Sequence, residues 1–368
     1  MNARRYLGWS CAVALAGFLA TGCSPLDYYA QAAHGQFSLL SEARPIDDWL
    51  ADPAIPARLR TKLTKVKQIR HYAASELGLP DNRSYTAYAD LKRPFVLWNV
   101  VATEELSLEP RRWCFPVAGC VTYRGYYSKA DAQDYATGLR HDGLDVQVAG
   151  VPAYSTLGWF NDPVLSTFIQ YPDGELARLV FHELAHQVVY VKDDTQFNES
   201  FATAVEEAGV ERWLLAQADP RLRQIYVEYE ARKEDFLSLL IKHRKALEQN
   251  YLRDVSATVK RQRKVEIFRD LQDEYQILKT SWGGYPGYDR WFAEPLTNAH
   301  LASVAAYHDF VPAFRALLAQ QKSLPRFYAA VRRLAALDKS ERHAQLVLLG
   351  PRALPAGQSI SAILPHAR

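Results

Sequence analysis

His182-Glu183-Leu184-Ala185-His186 lies inside a run, Glu175 to Val191, that contains no Gly or Pro. Within it Leu176, Leu179, Val180, Leu184, Val188 and Val191 recur at three- and four-residue steps, the pattern of a half-buried helix. Pro172-Asp173-Gly174 ahead of it supplies a turn and a helix start. On such a helix residues four apart stand one above the other on one face. Two neutral imidazoles so placed can share one Zn²⁺ without cancelling its charge. A carboxylate between them is placed to take a proton from water and hand it to a leaving group. The spacing therefore predicts a metal helix, with His182 and His186 as ligands and Glu183 as general base.

A catalytic zinc site takes three protein ligands and keeps one position open, so a third ligand should come from a neighbouring element. Lys192-Asp193-Asp194-Thr195 reads as a polar turn, and a second helical pattern runs from Asn198 to about Gln217. Asn198 is placed to cap that helix and Glu199 falls in its first turn. Two antiparallel helices joined by a short loop bring Glu199 to the open side of the histidines. Glu199 is the preferred ligand, ahead of Asp193, Asp194 and Glu206. Carboxylates commonly hold ligand histidines through the far ring nitrogen, and Glu206 and Glu207 are candidates for that.

Outward from this pair, the chain reads as an α+β protein, predominantly helical. Ile55 to Leu77 is a predicted helix, with Leu59, Leu63, Val66, Ile69 and Ala73 on one stripe. Phe95–Val101, the stretch around Val121 to Tyr127, and Asp145–Ala149 are predicted strands, with a short helix over Lys129–His141 between the last two. They make a small sheet ahead of the metal helix. Arg221 to Trp282 contains no Gly or Pro and carries apolar residues at helical spacing, which predicts a long helical hairpin turning near Arg253–Thr258. The basic run Lys260-Arg261-Gln262-Arg263-Lys264 reads as a solvated helix face, or as a contact with anionic lipid. Trp282 to Phe292 is a Gly-rich aromatic loop, and residues 297–319 and 323–338 read as closing helices. A hydrolytic metal site of this kind needs a donor for the oxyanion of a tetrahedral intermediate. Tyr288 in that loop is the candidate, with Tyr285, His300 and His308 behind it.

The N-terminus gives the compartment. Arg4 and Arg5 precede a mainly apolar stretch, Tyr6 to Ala20, too short to span a bilayer comfortably. It ends in Leu19-Ala20-Thr21-Gly22-Cys23, which resembles a bacterial lipobox. Residues 1–22 read as a lipoprotein signal peptide, Cys23 as the lipidated residue, and Ser24 after it fits outer-membrane retention facing the periplasm. Several acyl chains make a firm anchor. Of the four cysteines, Cys11 leaves with the signal and Cys23 carries lipid. Cys114 and Cys120 remain, and in an oxidising compartment they should form a disulfide. Net charge is +3, two units of which sit at Arg4 and Arg5, so no nucleic-acid partner is expected. Domain organisation follows: signal peptide 1–22, lipidated tether 23–54 docking through Tyr28, Tyr29, Phe37 and Leu39-Leu40, an α+β core over 55–217, and a helical region over 218–368.

His182-Glu183-x-x-His186 followed by Asn198-Glu199-Ser200-Phe201-Ala202 resembles the gluzincin metallopeptidases, whose third ligand is a Glu in an N-E-x-x-A-like helix. The chain is more similar still to the bacterial lipoproteins called predicted aminopeptidases. Cys114 to Tyr127, Ala153 to Phe160 and Gly287 to Phe292 also carry that resemblance, which covers nearly the whole mature chain. It implies a lipid-anchored zinc aminopeptidase acting on peptides, with His182, His186 and Glu199 on Zn²⁺ and Glu183 as base. In gluzincins an edge strand lies along the substrate ahead of the metal helix, and Tyr154-Ser155-Thr156-Leu157-Gly158 occupies that place in the order. The His-to-Glu interval is shorter than in the well-known gluzincin aminopeptidases, and their G-x-M-E-N segment has no counterpart. A periplasmic endopeptidase and a non-catalytic lipoprotein scaffold with a structural metal are the alternatives.

Overall fold

The structure, a computed structural model, describes residues 23–115, 119–156, 158–302 and 310–350, with side chains from residue 28 onward. The signal segment 1–22, the Cys23 side chain, Leu157 and His308 lie outside the described residues. In chain order the elements are α1 (Cys23–Glu42), β1 (Arg44–Pro45), α2 (Ile46–Ala51), α3 (Ala57–Ser75), β2 (Ala87–Ala89), β3 (Leu97–Thr103), β4 (Trp113–Phe115), β5 (Gly119–Val121), β6 (Arg124–Tyr126), α4 (Lys129–His141), β7 (Asp145–Val151) and β8 (Val164–Leu165). They continue with α5 (Asp173–His186), α6 (Thr195–Gln217), α7 (Pro220–Leu252), α8 (Ala257–Ser281), a 3-10 turn at Asp289–Phe292, α9 (Asn298–Ala302), α10 (Val311–Gln321), α11 (Leu324–Ala335) and α12 (Lys339–Leu349). The fold is α+β and predominantly helical, as its periodicities predict.

The main core forms where helical stripes meet. Leu63, Val66, Ile69 and Ala73 of α3 are buried in the same cluster as Leu176, Val180, Phe181 and Leu184 of α5. Phe197 and Phe201 of α6 stack edge-on or tilted against Phe314 of α10, and Phe201 also against Phe327 of α11. Burying each such side chain contributes roughly 1.5–3 kcal/mol, so α5 and α6 are fixed in the densest part of the molecule. Gly209 lets them close. A Cβ there would stand 2.8 Å from Leu77 and 2.9 Å from Phe181.

Three small sheets flank this core. In one, β3 pairs antiparallel with both β6 and β7, from Leu97 opposite Val151 to Thr103 opposite Asp145 on the β7 side. β7 is therefore an outer strand. In a second, β2 lies between β1 and β8. The third is the β4–β5 hairpin, where Cys114 faces Cys120 across the ladder and the two are disulfide-bonded. α7 and α8 form the expected long hairpin over a separate cluster that includes Phe236, Leu247, Leu271 and Tyr275.

Four local expectations change. The stretch read as a tether is helical over α1. Tyr28 stacks on Phe115 and Leu39 is buried, but Phe37 is exposed. The basic run on α8 is solvated, as expected, only in its middle, Arg261 to Arg263, and docks through its ends. Lys264 holds Asp145 at 2.6 Å, Arg261 grips Glu105, and Lys260 donates to the Tyr251 carbonyl. Tyr154, Ser155, Thr156 and Gly158, the described residues of the expected substrate strand, are in no strand, because the ladder ends at Val151 and the Thr156 amide turns inward to Asp162 at 2.9 Å. Finally, Asn198 does not cap α6. Asp194 does, accepting from the Phe197 amide at 3.3 Å. No helix among the described residues is long and apolar enough to cross a membrane.

Candidate metal centre

α5 carries its histidines to its last turn because the opposite face is fully committed to the core. Ten of its fourteen residues are buried, His186 among them. The chain then turns through 187–194 and enters α6 with Glu199 one turn in. That turn is held from several sides. Both atoms of the Asn198 side-chain amide bond the Val191 backbone at 2.8 Å. Asp194, only 1% exposed, receives Arg342 at 2.8 Å and His343 at 2.9 Å. Asp193, at φ +62°, accepts from the Cys120 amide at 3.2 Å, so the disulfide hairpin rests on the same turn.

The result is a convergence of three donors. The Nε2 atoms of His182 and His186 are 3.2 Å apart, and the Glu199 carboxylate lies 3.2 Å from the first and 3.7 Å from the second. Donors about 2.1 Å from one tetrahedral zinc would be roughly 3.4 Å apart. The set fits a single ion, in element type and in spacing. Among the described residues this is the one group of three His, Cys, Asp or Glu side chains with ligand atoms so gathered.

Behind His182 runs a buried chain of charges. Its Nδ1 donates to Glu206 at 2.8 Å, which turns Nε2 outward toward Glu199 and His186. Glu206 is 2% exposed and also receives Arg178 at 3.1 Å. Arg178 in turn holds Glu175 at 2.8 Å. Burial alone would raise the Glu206 carboxyl, but Arg178 and then His182 overcome it and hold it at about 2. Burial would lower the His182 ring, and Glu206 and Glu199 instead raise it to about 10. The Nδ1 of His186 has no hydrogen-bond partner among the described residues, and burial, then His182, lower that ring to about 4. For Glu183, burial is the first cause that pushes its carboxyl up to about 7, against the pull of His182. A carboxyl there is tuned to exchange a proton near neutrality.

The other predicted residues divide. Gly158, at φ +84°, abuts the side chain of Gln187, with 3.6 Å between that side chain and the place of a Cβ. The 155–162 loop thus reaches the end of the metal helix. Ser155 and Thr156 turn to Asp162, and the Tyr154 hydroxyl bonds Tyr127 at 2.7 Å. Tyr288 packs in the hairpin, with Glu175 and Arg178 among the charges that act on it. Its ring stacks on Phe236 at 3.9 Å within the α7–α8 cluster, and its described contacts do not include the convergent donors. Tyr285 lies under Arg232, and His300 accepts from the Thr297 amide. Tyr190 packs edge-on to the His186 ring at 6.2 Å, and Tyr123, beside the disulfide hairpin, is pushed up to about 12 by partial burial and then by the charge of Glu199. Arg178 and Glu175 were not singled out from sequence. Their spacing of four and seven residues before His182 puts them on its face of α5, which was a readable signal.

Comparison with curated proteins and with solved structures gives no match. Over residues 27–346, which hold every residue of this centre, the chain matches a family described as "Putative aminopeptidase", and it belongs to that family.

Proposed function

We propose that the chain is a zinc-dependent peptidase that removes residues from the amino termini of peptides, held by a lipid on Cys23 to the outer membrane and facing the periplasm. One observation carries the chemistry: His182 Nε2, His186 Nε2 and the Glu199 carboxylate meet at ion spacing, with Glu183 next to His182 in the same helix. A zinc ion held there would polarise a peptide carbonyl and acidify water. The proton that Glu206 and Glu199 hold on His182 would leave on zinc binding, and the two rings would then be neutral donors beside the negative Glu199. Glu206 keeps the His182 ring in the tautomer and direction that bonding an ion requires. Glu183 accepts the proton of the attacking water and returns it to the departing amine, so one carboxyl serves both halves of the cleavage. Cleavage from the amino terminus rests on the family's description.

The test is zinc per molecule in the chain beginning at Ser24, beside Glu199→Ala, followed by hydrolysis of a panel of free and N-acetylated peptides. About one zinc, lost in the variant, with turnover of free peptides only, is the expected result. Cleavage of acetylated peptides would make it an endopeptidase. A folded chain that takes up no zinc would end the peptidase reading.

A further inference from the structure

Among the described residues six aromatic side chains are more than a third exposed: Tyr29, Phe37, Tyr123, Trp159, Phe160 and Tyr190. A single exposed apolar residue is ordinary, whereas a gathered set marks a contact surface. Tyr29 and Phe37 lie on α1. The other four belong to segments that meet the metal helix or the turn after it. Trp159 is the most open of them, at 78%, and Tyr190 is 47% exposed.

Their places are fixed by contacts. Gly158, just ahead of Trp159, stands against the Gln187 side chain, 3.6 Å from the place of its Cβ. Gln187 is itself held by Asn82 and Ser84 at 2.6 and 3.3 Å. It follows His186 and lies one turn after Glu183 on the same helix face. The Trp159 amide donates to the Thr156 carbonyl at 3.0 Å, and the Phe160 amide to the Thr156 hydroxyl at 3.1 Å. That hydroxyl donates to the buried Asp162 at 2.7 Å, so the loop is set before any ligand arrives. On the neighbouring stripe of the helix, the ring of Tyr190 packs edge-on to that of His186 at 6.2 Å. The two aromatic segments thus meet the helix end on the two stripes that carry the base and the ligand histidines.

We propose that Trp159, Phe160 and Tyr190 form an apolar wall of the substrate cleft, which takes an aromatic side chain of the peptide next to the bond that is cut. Exposed aromatic faces gain most from a second ring, by area and by stacking. None of the three side chains carries a charge, so a charged residue would give up its water there for nothing in return. The proposal rests on the peptidase reading for the identity of its occupant.

Binding separates the two readings, because it needs no turnover. The zinc-loaded E183Q variant of the Ser24–Arg368 chain is titrated by calorimetry with the tripeptides Phe-Ala-Ala, Ala-Ala-Ala and Lys-Ala-Ala. Phe-Ala-Ala should bind at least about tenfold more tightly than either of the others. W159A and Y190A, each made in that variant, should lower this ratio severalfold with zinc content unchanged. Phe-Ala-Ala should also shift the indole emission, and W159F should lose that shift. No binding of any peptide, equal affinity for all three, or a ratio that survives both substitutions would overturn the proposal. Zinc lost in Y190A would make that ring a prop for His186 and overturn its part in the wall. Selective binding in a parent chain that cleaves none of the peptides would leave the wall standing and remove the peptidase reading. Equal cleavage of all three would do the reverse.

Discussion

The metal helices and the α7–α8 hairpin are both helical pairs, yet they are built on opposite plans. Ten of the fourteen residues of α5 are buried, against six of the thirty-three of α7. The hairpin keeps its charges at the rim, as in Lys242–Glu274, where the side chains are 63% and 36% exposed. α5 and α6 put theirs inside, as in Arg178–Glu206, at 22% and 3%. Water screens the first kind of pair, and its loss costs little. It does not screen the second, where removing one partner leaves a charge with nothing to answer it. The hairpin is thus held by an apolar stripe that tolerates change around it. The metal pair is held by a polar chain in which each member fixes the next.

The comparison can be broken most sharply at Glu183. Glu183→Gln should reduce peptide turnover by about 10²–10⁴-fold and leave bound zinc near one per molecule, measured by steady-state kinetics and metal analysis. Full turnover in that variant would remove Glu183 from the chemistry. Next is Glu206→Ala, which strips both His182 and Arg178 of their partner. It should cost about 3–5 kcal/mol in denaturant unfolding and weaken zinc binding about 10–100-fold. A variant as stable as the parent would show that the chain of charges is idle.

Acid should reveal the same chain in the zinc-free protein. Glu206 is held at about 2 in the fold against an ordinary 4.5. A carboxyl depressed by folding adds stability that is complete above its ordinary value and fades as pH falls toward the folded one. Unfolding midpoints should therefore drop between pH 4.5 and 2, and Glu206→Gln should lose that part of the pH dependence. The smallest effect belongs to the hairpin. Lys242→Ala should change stability by less than about 1 kcal/mol, and a larger loss would mean that the rim pair is not a solvent-screened one.

Much of this was legible in the chain. Periodicity located α3, α4, α5 and the long hairpin because one buried stripe repeats over several turns and the signal accumulates. Four-residue spacing placed His182 and His186 on one face, and an acidic residue one turn into the following helix pointed to Glu199. Shorter elements were read less well. The α6 cap moved from Asn198 to Asp194, since either side chain suits a helix start and the Arg342 and His343 contacts decide between them. Tyr154 to Gly158 resembled a strand, but Asp162 pulls the Thr156 amide out of any ladder.

The sequence by itself determined the donor types, their helical spacing and the fold class, since these depend on residues a few positions apart. Which phenol stands near the metal centre was decided only by tertiary structure. Tyr288, Tyr123 and Tyr190 are equivalent as residues. The first stacks on Phe236, the second follows the hairpin that rests on Asp193 and feels the charge of Glu199, and the third packs edge-on to the ring of His186. The first two outcomes depend on contacts between residues far apart in the chain, and the energy of such a contact exists only once the core has brought both partners together.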